Sequence, residues 1–257
     1  MPATQRGESG RVHSLGVDGC PSGWIAVGAA PAQGCGGATG SAPRLDLRWG
    51  LFPSLNTLLD AAIAQDASAI VIDIPIGLPA GGPRACDAAA RARLGPRRSS
   101  VFPAPSRGML DAQTYAEAQR LGRQQTPPTG LSRQSFAILP KVREADRALT
   151  PDRQTRILEG HPELAFTRLA GVPLEWPKRS ASGLVRRIDL LRRHGAAGML
   201  DLLAAVEEAH PRKAVAPDDV LDAAVLALTG QALAQGTAWR LGDGGRDARG
   251  LLMEICG

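Results

Sequence analysis

The stretch AIVIDIP, residues 69–75, is an unbroken aliphatic run that leads into an aspartate and a proline. Four aliphatic residues without a polar break are typical of a buried strand, and Pro75 stops the strand just beyond Asp73. A carboxylate on such a strand is costly to bury unless it is paired, hydrogen-bonded or bound to a metal. The stretch therefore predicts a central strand and makes Asp73 a candidate site residue, with a loop-tethering carboxylate as the alternative.

A second stretch, LGVDG at residues 15–19, also carries an apolar run into an aspartate, Asp18. Turn formers follow, and residues 24–28 are again apolar, which predicts a β-hairpin. Leucine and tryptophan alternate with charged residues at 44–52, which predicts a half-exposed third strand. The expected order is three antiparallel strands, a helix, and a fourth strand parallel with the first. Asp18 and Asp73 would then meet at one sheet edge, although a turn aspartate bonded to its own backbone also explains Asp18.

A third acidic stretch, PDDVLDA at residues 217–223, opens an amphipathic helix. Asp218 and Asp222 are four positions apart and Asp219 and Asp222 three, so all can lie near one helix face. Aspartates after a proline also cap free amides and complement the helix dipole, which explains Asp218 well and Asp219 adequately. Asp222 lies among leucine and alanine and is less natural as a cap. It is therefore the strongest ligand candidate of this helix.

A further cluster, EGHPE at residues 159–163, ends a strand-like segment and starts a helix. Glu159, His161 and Glu163 together could bind a metal or transfer a proton. A helix start with an acidic first turn accounts for Glu163 but not for Glu159, and a histidine before proline is commonly structural. Glu159 is therefore kept as a candidate catalytic acid, and His161 and Glu163 as candidates for proton transfer.

The net charge is +5, and all but three of the 30 basic residues are arginine. Arginine suits phosphate contacts, although a coding bias toward arginine produces the same composition. Much of the basic charge lies in residues 76–153, a helix- and loop-rich insertion after the fourth strand. A solvated surface is the alternative to a phosphate-binding one. The candidate substrate-binding residues are Arg91, Arg97, Arg98, Ser99, Ser100, Arg107 and Lys141.

The length of 257 residues fits one large domain, or one domain with an insertion, and an apolar fraction of 44% is ample for its core. We expect a single domain at 12–255, with the insertion at 76–153 and a disordered tail at 1–11. The cysteines form no CxxC pair, so neither a disulfide framework nor a zinc site is indicated. The start of the chain lacks a signal-peptide core, and no apolar run approaches the roughly 18 residues of a membrane span. A cytoplasmic protein without a membrane partner is expected.

Five pieces of the chain, in this order, strongly resemble the "domain of unknown function 429" family: GVDGCPSGW, VIDIPIGLP, RRSSVFPAP, EGHPELAF and DDVLDA. The resemblance covers about residues 12–255. That family is regarded as a set of predicted nucleases with the RNase H fold. The resemblance implies an α/β, RNase H-like mixed five-stranded sheet flanked by helices, with a helical and loop insertion after strand four.

More distantly, the layout looks like that of RuvC-type resolvases, which carry acids on the first strand, near the end of the fourth strand and on the last helix. Asp18, Asp73, Asp219 and Asp222 fit those places, with Glu159 as a substitute. RuvC relatives usually carry glutamate on strand four, whereas this chain has an aspartate with a shorter reach. Those relatives are often dimers, so a homodimer is an expectation.

The leading hypothesis is a nuclease that hydrolyses nucleic acid, DNA or RNA, by a two-metal carboxylate mechanism. Asp18, Asp73 and Asp222 or Asp219 would hold Mg²⁺ or Mn²⁺, since hard cations prefer carboxylates and zinc prefers histidine or cysteine. One alternative is a nucleic-acid-binding protein on an RNase H fold without turnover. Another is an actin-like phosphotransferase, which is less favoured because those enzymes need two duplicated domains.

Overall fold

The computed structural model describes residues 14–32 and 44–257. The expected disordered tail, residues 1–11, lies outside the described residues. The strands are β1 (Ser14–Cys20), β2 (Gly23–Pro31), β3 (Leu45–Phe52), β4 (Ala69–Ile72), β5 (Ile157–Glu159), β6 (Arg240–Leu241) and β7 (Ile255–Cys256). The α-helices are α1 (Leu55–Ala64), α2 (Ala85–Leu94), α3 (Tyr115–Arg123), α4 (Arg133–Ala137), α5 (Leu139–Ala148), α6 (Pro162–Ala170), α7 (Ala181–Arg193), α8 (Met199–Ala209) and α9 (Pro217–Ala234).

The main sheet has five strands in the order β3-β2-β1-β4-β5, and β6 and β7 form a separate two-stranded sheet. β1 pairs antiparallel with β2, which in turn pairs antiparallel with β3. β1 pairs parallel with β4, with Val17 opposite Ile72. The expected α/β architecture, a mixed five-stranded sheet flanked by helices, is therefore confirmed, including the antiparallel hairpin and the parallel fourth strand.

The chain divides into two compact units, and each is discontinuous in sequence. The first unit comprises the chain up to Asp73 together with Leu174–Ala238, and the second comprises Ile74–Pro173 and Trp239–Gly257. The expected single domain at 12–255 and its insertion at 76–153 stay predictions. Among the described residues, no helix combines the length and the apolar character needed to cross a bilayer.

In the first unit, α9 packs on β1, β2 and β4. Its apolar residues are buried all round, as is typical of a helix inside a core. The closest approach is at Gly16, where a Cβ atom would lie 1.9 Å from the Ala223 carbonyl oxygen and 2.2 Å from the Ala227 nitrogen. Only a glycine lets the helix backbone lie so near the strand.

The same contact sets the register of α9 along β1. The Ser14 hydroxyl donates to the Ala227 carbonyl at 2.8 Å, and Gly230 lies against the Ser14 side chain. The helix therefore runs in the opposite sense to the strand, because its later residues lie beside the start of β1. The first turns of α9, which carry Asp222, are consequently placed toward the carboxyl end of β1.

The second unit contains helices α2 to α6 and the short strands β5, β6 and β7. One buried apolar cluster of this unit consists of Cys86, Ala90, Leu94, Val101, Leu164 and Ile255. Helix α6 begins with Pro162 after His161, as expected from the sequence, and ends at Gly171 in the left-handed conformation, with φ 75°.

Candidate metal centre

Asp18 and Asp73 come together because β1 and β4 are parallel neighbours. Val17 and Ile72 are opposite each other in the register, and the Asp73 amide donates to the Val17 carbonyl at 2.9 Å. The two aspartates therefore follow a paired position at the carboxyl ends of adjacent strands, where open α/β sheets bind ligands. The sequence-based expectation that these two residues lie at one sheet edge is confirmed.

Asp222 joins them from α9. One carboxylate oxygen from each of Asp18, Asp73 and Asp222 lies within 4.8 Å of the others. Asp18 is 8% exposed and Asp222 is 2% exposed, whereas Asp73 is half-buried. This group of three is called the acidic triad below. It offers only carboxylate oxygens, the ligand type that Mg²⁺, Mn²⁺ and Ca²⁺ prefer.

Charge repulsion within the acidic triad is strong. The pKa of Asp18 is raised well above its ordinary value, first by burial and then by the neighbouring charges of Asp73 and Asp222. A carboxyl group in such surroundings resists ionisation until a cation is nearby. Three carboxylates this close together are therefore stabilised by a neighbouring cation.

Two basic residues that sequence analysis did not select, Lys178 and Arg179, border the acidic triad. The Lys178 ammonium lies 2.5 Å from Asp222 Oδ2 and 3.6 Å from Asp218 Oδ2, and Arg179 Nε lies 3.1 Å from the same Asp218 oxygen. Burial alone would lower the pKa of Lys178, but the charges of Asp222 and Asp18 raise it. The sequence offered one signal for Lys178, namely that lysine is rare in this chain: only three of the 30 basic residues are lysine.

The two aspartates at the start of α9 make different contacts. Asp219 accepts a hydrogen bond from the Ala216 amide at 3.1 Å and so caps the helix, and burial raises its pKa. Asp218, which the capping argument explained best, instead pairs with Lys178 and Arg179. Asp219 is not brought into the acidic triad, and its role as a metal ligand stays a prediction.

Glu159 lies in the second unit, where Arg84 holds it. Arg84 Nη1 and Nη2 each lie 2.7 Å from a Glu159 oxygen, and the Ile76 amide donates to Glu159 Oε2 at 2.7 Å. Arg84 also contacts Asp87, with Nη2 at 2.6 Å from Oδ1. Burial raises the pKa of Glu159 to about 7 although Arg84 opposes the shift. Both oxygens of Glu159 thus serve an internal ion-pair network, and a catalytic role for it stays a prediction.

The two other motifs of the second unit contact each other. His161 Nε2 lies 3.3 Å from the Ser100 carbonyl oxygen, and Arg97 Nη2 lies 3.5 Å from Glu163 Oε1. The Ser100 hydroxyl donates to the Arg97 carbonyl at 2.8 Å. These contacts join RRSSVFPAP to EGHPELAF and engage one ring nitrogen of His161, whereas His161 Nδ1 is buried without a hydrogen-bond partner among the residues that the structure describes. The roles of His161 and Glu163 in proton transfer stay predictions.

The remaining basic candidates differ in how far they are engaged. Arg107 pairs with Asp146 at 3.0 Å and also with Asp247, and Arg91 donates to the carbonyls of Arg98 and Val101. Lys141 is half-buried, whereas Arg98 and Ser99 are exposed. Of the expected phosphate-binding set, Arg98 and Ser99 are therefore the members most open to a partner.

Comparison with known proteins identifies the family of this chain. The family model described as "Protein of unknown function (DUF429)" matches residues 16–244, which include all three aspartates of the acidic triad. No curated protein and no solved structure matches the chain. Because the match spans most of the chain, the protein belongs to the DUF429 family.

Proposed function

We propose that this protein is a divalent-metal-dependent phosphodiesterase that hydrolyses nucleic acid. The observation that carries the proposal is the acidic triad, in which oxygens of three aspartates from two adjacent strands and a packed helix lie within 4.8 Å of one another. Membership of the family assigns no reaction, so the proposal depends on the chemistry of these residues.

The donor set fits Mg²⁺ or Mn²⁺. Asp18, Asp73 and Asp222 would hold the ion through carboxylate oxygens. A cation there would favour the charged form of Asp18, whose pKa is raised by burial and then by the charges of Asp73 and Asp222. When bound, the ion supplies positive charge that activates water and stabilises the departing oxygen of a phosphodiester. Zinc is disfavoured because the triad offers neither histidine nor cysteine.

The protein residues supply position and electrostatics. Asp18 and Asp73 are fixed by the pairing of β1 with β4, and Asp222 is fixed by the close packing of α9 on Gly16. Such rigid supports keep ligands in place, which a catalytic site requires. Lys178 adds a positive charge beside Asp222, and this charge would stabilise the negative charge that a bound phosphate gains during hydrolysis.

An RNase H-like fold with a RuvC-like site is part of the proposal. Its support is the mixed sheet, in which β1 lies between antiparallel β2 and parallel β4, and the placement of the acids at the ends of β1 and β4 and on α9. Nucleic acid is proposed as the substrate because the net charge is +5 and Arg98 and Ser99 are exposed.

The test is cleavage of single-stranded, duplex and branched DNA and of RNA, with Mg²⁺, with Mn²⁺, and with a chelator. We expect cleavage that needs metal and that falls by about two orders of magnitude or more in Asp222→Asn, because a ligand charge is lost. Asp201→Asn is the matched control, since Asp201 is an exposed aspartate of the same unit. Binding without cleavage would favour the non-catalytic alternative, and ATP turnover would favour the phosphotransferase.

A further inference from the structure

Lys178 occupies an unusual place for a lysine. Its ammonium lies 2.5 Å from Asp222 Oδ2, within direct contact of an acidic-triad carboxylate, and 3.6 Å from Asp218 Oδ2. The side chain is 36% exposed, so one part faces solvent while the head group lies against the carboxylates. A cation at this position competes with any other cation for the same oxygens.

The backbone that carries Lys178 is held firmly on α7. The Ser180 amide and hydroxyl both donate to the Pro177 carbonyl, at 3.0 and 2.8 Å. A Cβ at Gly183 would lie 2.0 Å from that same carbonyl oxygen, so the turn rests directly on the helix. Arg187, which is fully buried, donates to the Trp176 carbonyl at 3.3 Å. The backbone is thus fixed by contacts both before Lys178, at Trp176 and Pro177, and after it, at Ser180.

Over the acidic triad and Lys178, the charges balance with one divalent ion. The nearby Asp218 and Asp219 add one negative charge beyond the positive charge of Arg179. Asp18, Asp73 and Asp222 carry three negative charges when ionised, and Lys178 and one divalent cation together carry three positive ones. Arg179 separately pairs with Asp218. A second divalent ion would leave an excess of positive charge beside a lysine that already contacts a ligand oxygen.

We propose that Lys178 takes the place of a second metal ion, so that the acidic triad holds one divalent cation and the ammonium supplies the second positive charge. The inference rests on the proposed function and replaces the two-metal mechanism expected from the sequence with a one-metal form. In the phosphodiesterase, Lys178 stays protonated and acts as a fixed positive charge toward the phosphate, so no bond to it forms or breaks.

The experiment counts Mn²⁺ by titration followed by electron paramagnetic resonance, and it does not depend on turnover. Ions of the acidic triad are those lost in the Asp18→Asn variant. We expect one such ion in the unaltered chain, two in Lys178→Met, and one in Lys178→Arg, which keeps the charge. Lys213→Met, at an exposed lysine of the same unit, is the matched control and should bind one ion.

The outcomes distinguish a failure of this inference from a failure of the proposed function on which it rests. Two ions in the unaltered chain, or one ion in Lys178→Met, would overturn the role of Lys178 and leave the metal site standing. No ion in the unaltered chain would overturn the metal site and the inference with it. If Lys178→Met does not fold, the count in the unaltered chain decides, with one ion supporting the inference and two overturning it.

Discussion

The two units of this protein bury acidic side chains in two different ways. In the second unit, Arg84 lies between Glu159 and Asp87 and donates to both oxygens of each carboxylate, at 2.6–3.2 Å. In the first unit, the acidic triad meets a lysine, whose ammonium is a point charge in contact with Asp222. The planar guanidinium matches two carboxylates at once, and an ammonium does not.

The difference distinguishes a structural network from a site that can react. The Arg84 network uses its hydrogen-bonding capacity internally, so it needs no ligand from solution. The acidic triad brings three carboxylates together with one adjacent lysine, and the pKa of Asp18 is raised by burial and then by the charges of Asp73 and Asp222. A cluster of buried acids therefore indicates ligand binding only where the neighbouring basic groups do not satisfy the carboxylate oxygens.

The largest effect is expected from Asp18→Asn. This change keeps the shape of the side chain but removes a ligand charge, so metal-dependent cleavage should fall by orders of magnitude. Stability without metal should stay level or rise, because repulsion with Asp73 and Asp222 is relieved. Cleavage assays and urea unfolding of the same preparation measure both quantities.

Asp87→Asn provides the contrast, since it makes the same chemical change in the second unit. It should lower stability, because Arg84 loses a charged partner. An active Asp18→Asn variant, or one that is strongly destabilised, would erase the distinction between the two clusters.

The next largest effect is on stability. Arg84→Met leaves Glu159 and Asp87 buried without their cation, which should lower the free energy of unfolding by about 3–5 kcal/mol. Arg98→Met is the matched control, because Arg98 is an exposed arginine of the same unit and its loss should change stability by about 0.5 kcal/mol or less. Equal losses in the two variants would show that Arg84 is not the centre of a structural network.

A smaller effect concerns pH. Burial raises the pKa of Glu159 from 4.5 to about 7, so between these values the folded chain holds a proton that the unfolded chain has released. The resulting stabilisation is fully present below about pH 4.5 and is lost as the pH rises through 7. Glu159→Gln lacks this titration. The stability of the unaltered chain relative to the variant should therefore fall by about 2 kcal/mol from pH 5 to pH 8.

Native-state hydrogen exchange of the Ile76 amide in urea is a suitable measurement, because that amide donates to Glu159. A relative stability that grows between pH 5 and pH 8 would mean that Arg84 outweighs burial and holds Glu159 ionised.

The smallest expected effect is on the salt dependence of DNA binding, and it distinguishes an arginine in an ion pair from an exposed one. The salt slope is the slope of log K for duplex DNA binding plotted against the logarithm of the salt concentration. Arg98 is exposed and Arg97 contacts Glu163, so we expect Arg98→Ala to reduce the magnitude of this slope by about 0.9 and Arg97→Ala by less. The double variant should approach a reduction of about 2 only if Arg97 leaves Glu163 for a phosphate. Alanines at Arg120 and Arg123, which are exposed on α3, serve as the control. An unchanged slope in the double variant would identify this segment as a solvated surface.

The acidic triad could be predicted because each member is marked by its own neighbours. Asp18 and Asp73 follow apolar runs, and Asp222 interrupts an apolar helix, so local patterns were enough to select them. The strand order was also predictable, since the hairpin, the helix and the parallel strand follow from short-range signals.

The partners of these acids could not be found in the same way. Lys178 lies 44 residues from Asp222, and Arg84 lies 75 residues from Glu159, so each pairing exists only in the folded chain. Spacing likewise does not decide which of Asp218 and Asp219 caps α9, because that depends on side-chain orientation.

The close contact between β1 and α9 also has a consequence for the order of folding. Ser14 and its partner Ala227 are 213 residues apart, with the second unit largely between them in the chain. During synthesis, β1, β2 and β4 therefore emerge long before the helix that covers them, and so does the pair Asp18 and Asp73 before Lys178. A growing chain that has reached Pro173 lacks α9 and leaves the apolar face of these strands uncovered, so we expect aggregation to compete with folding at this stage.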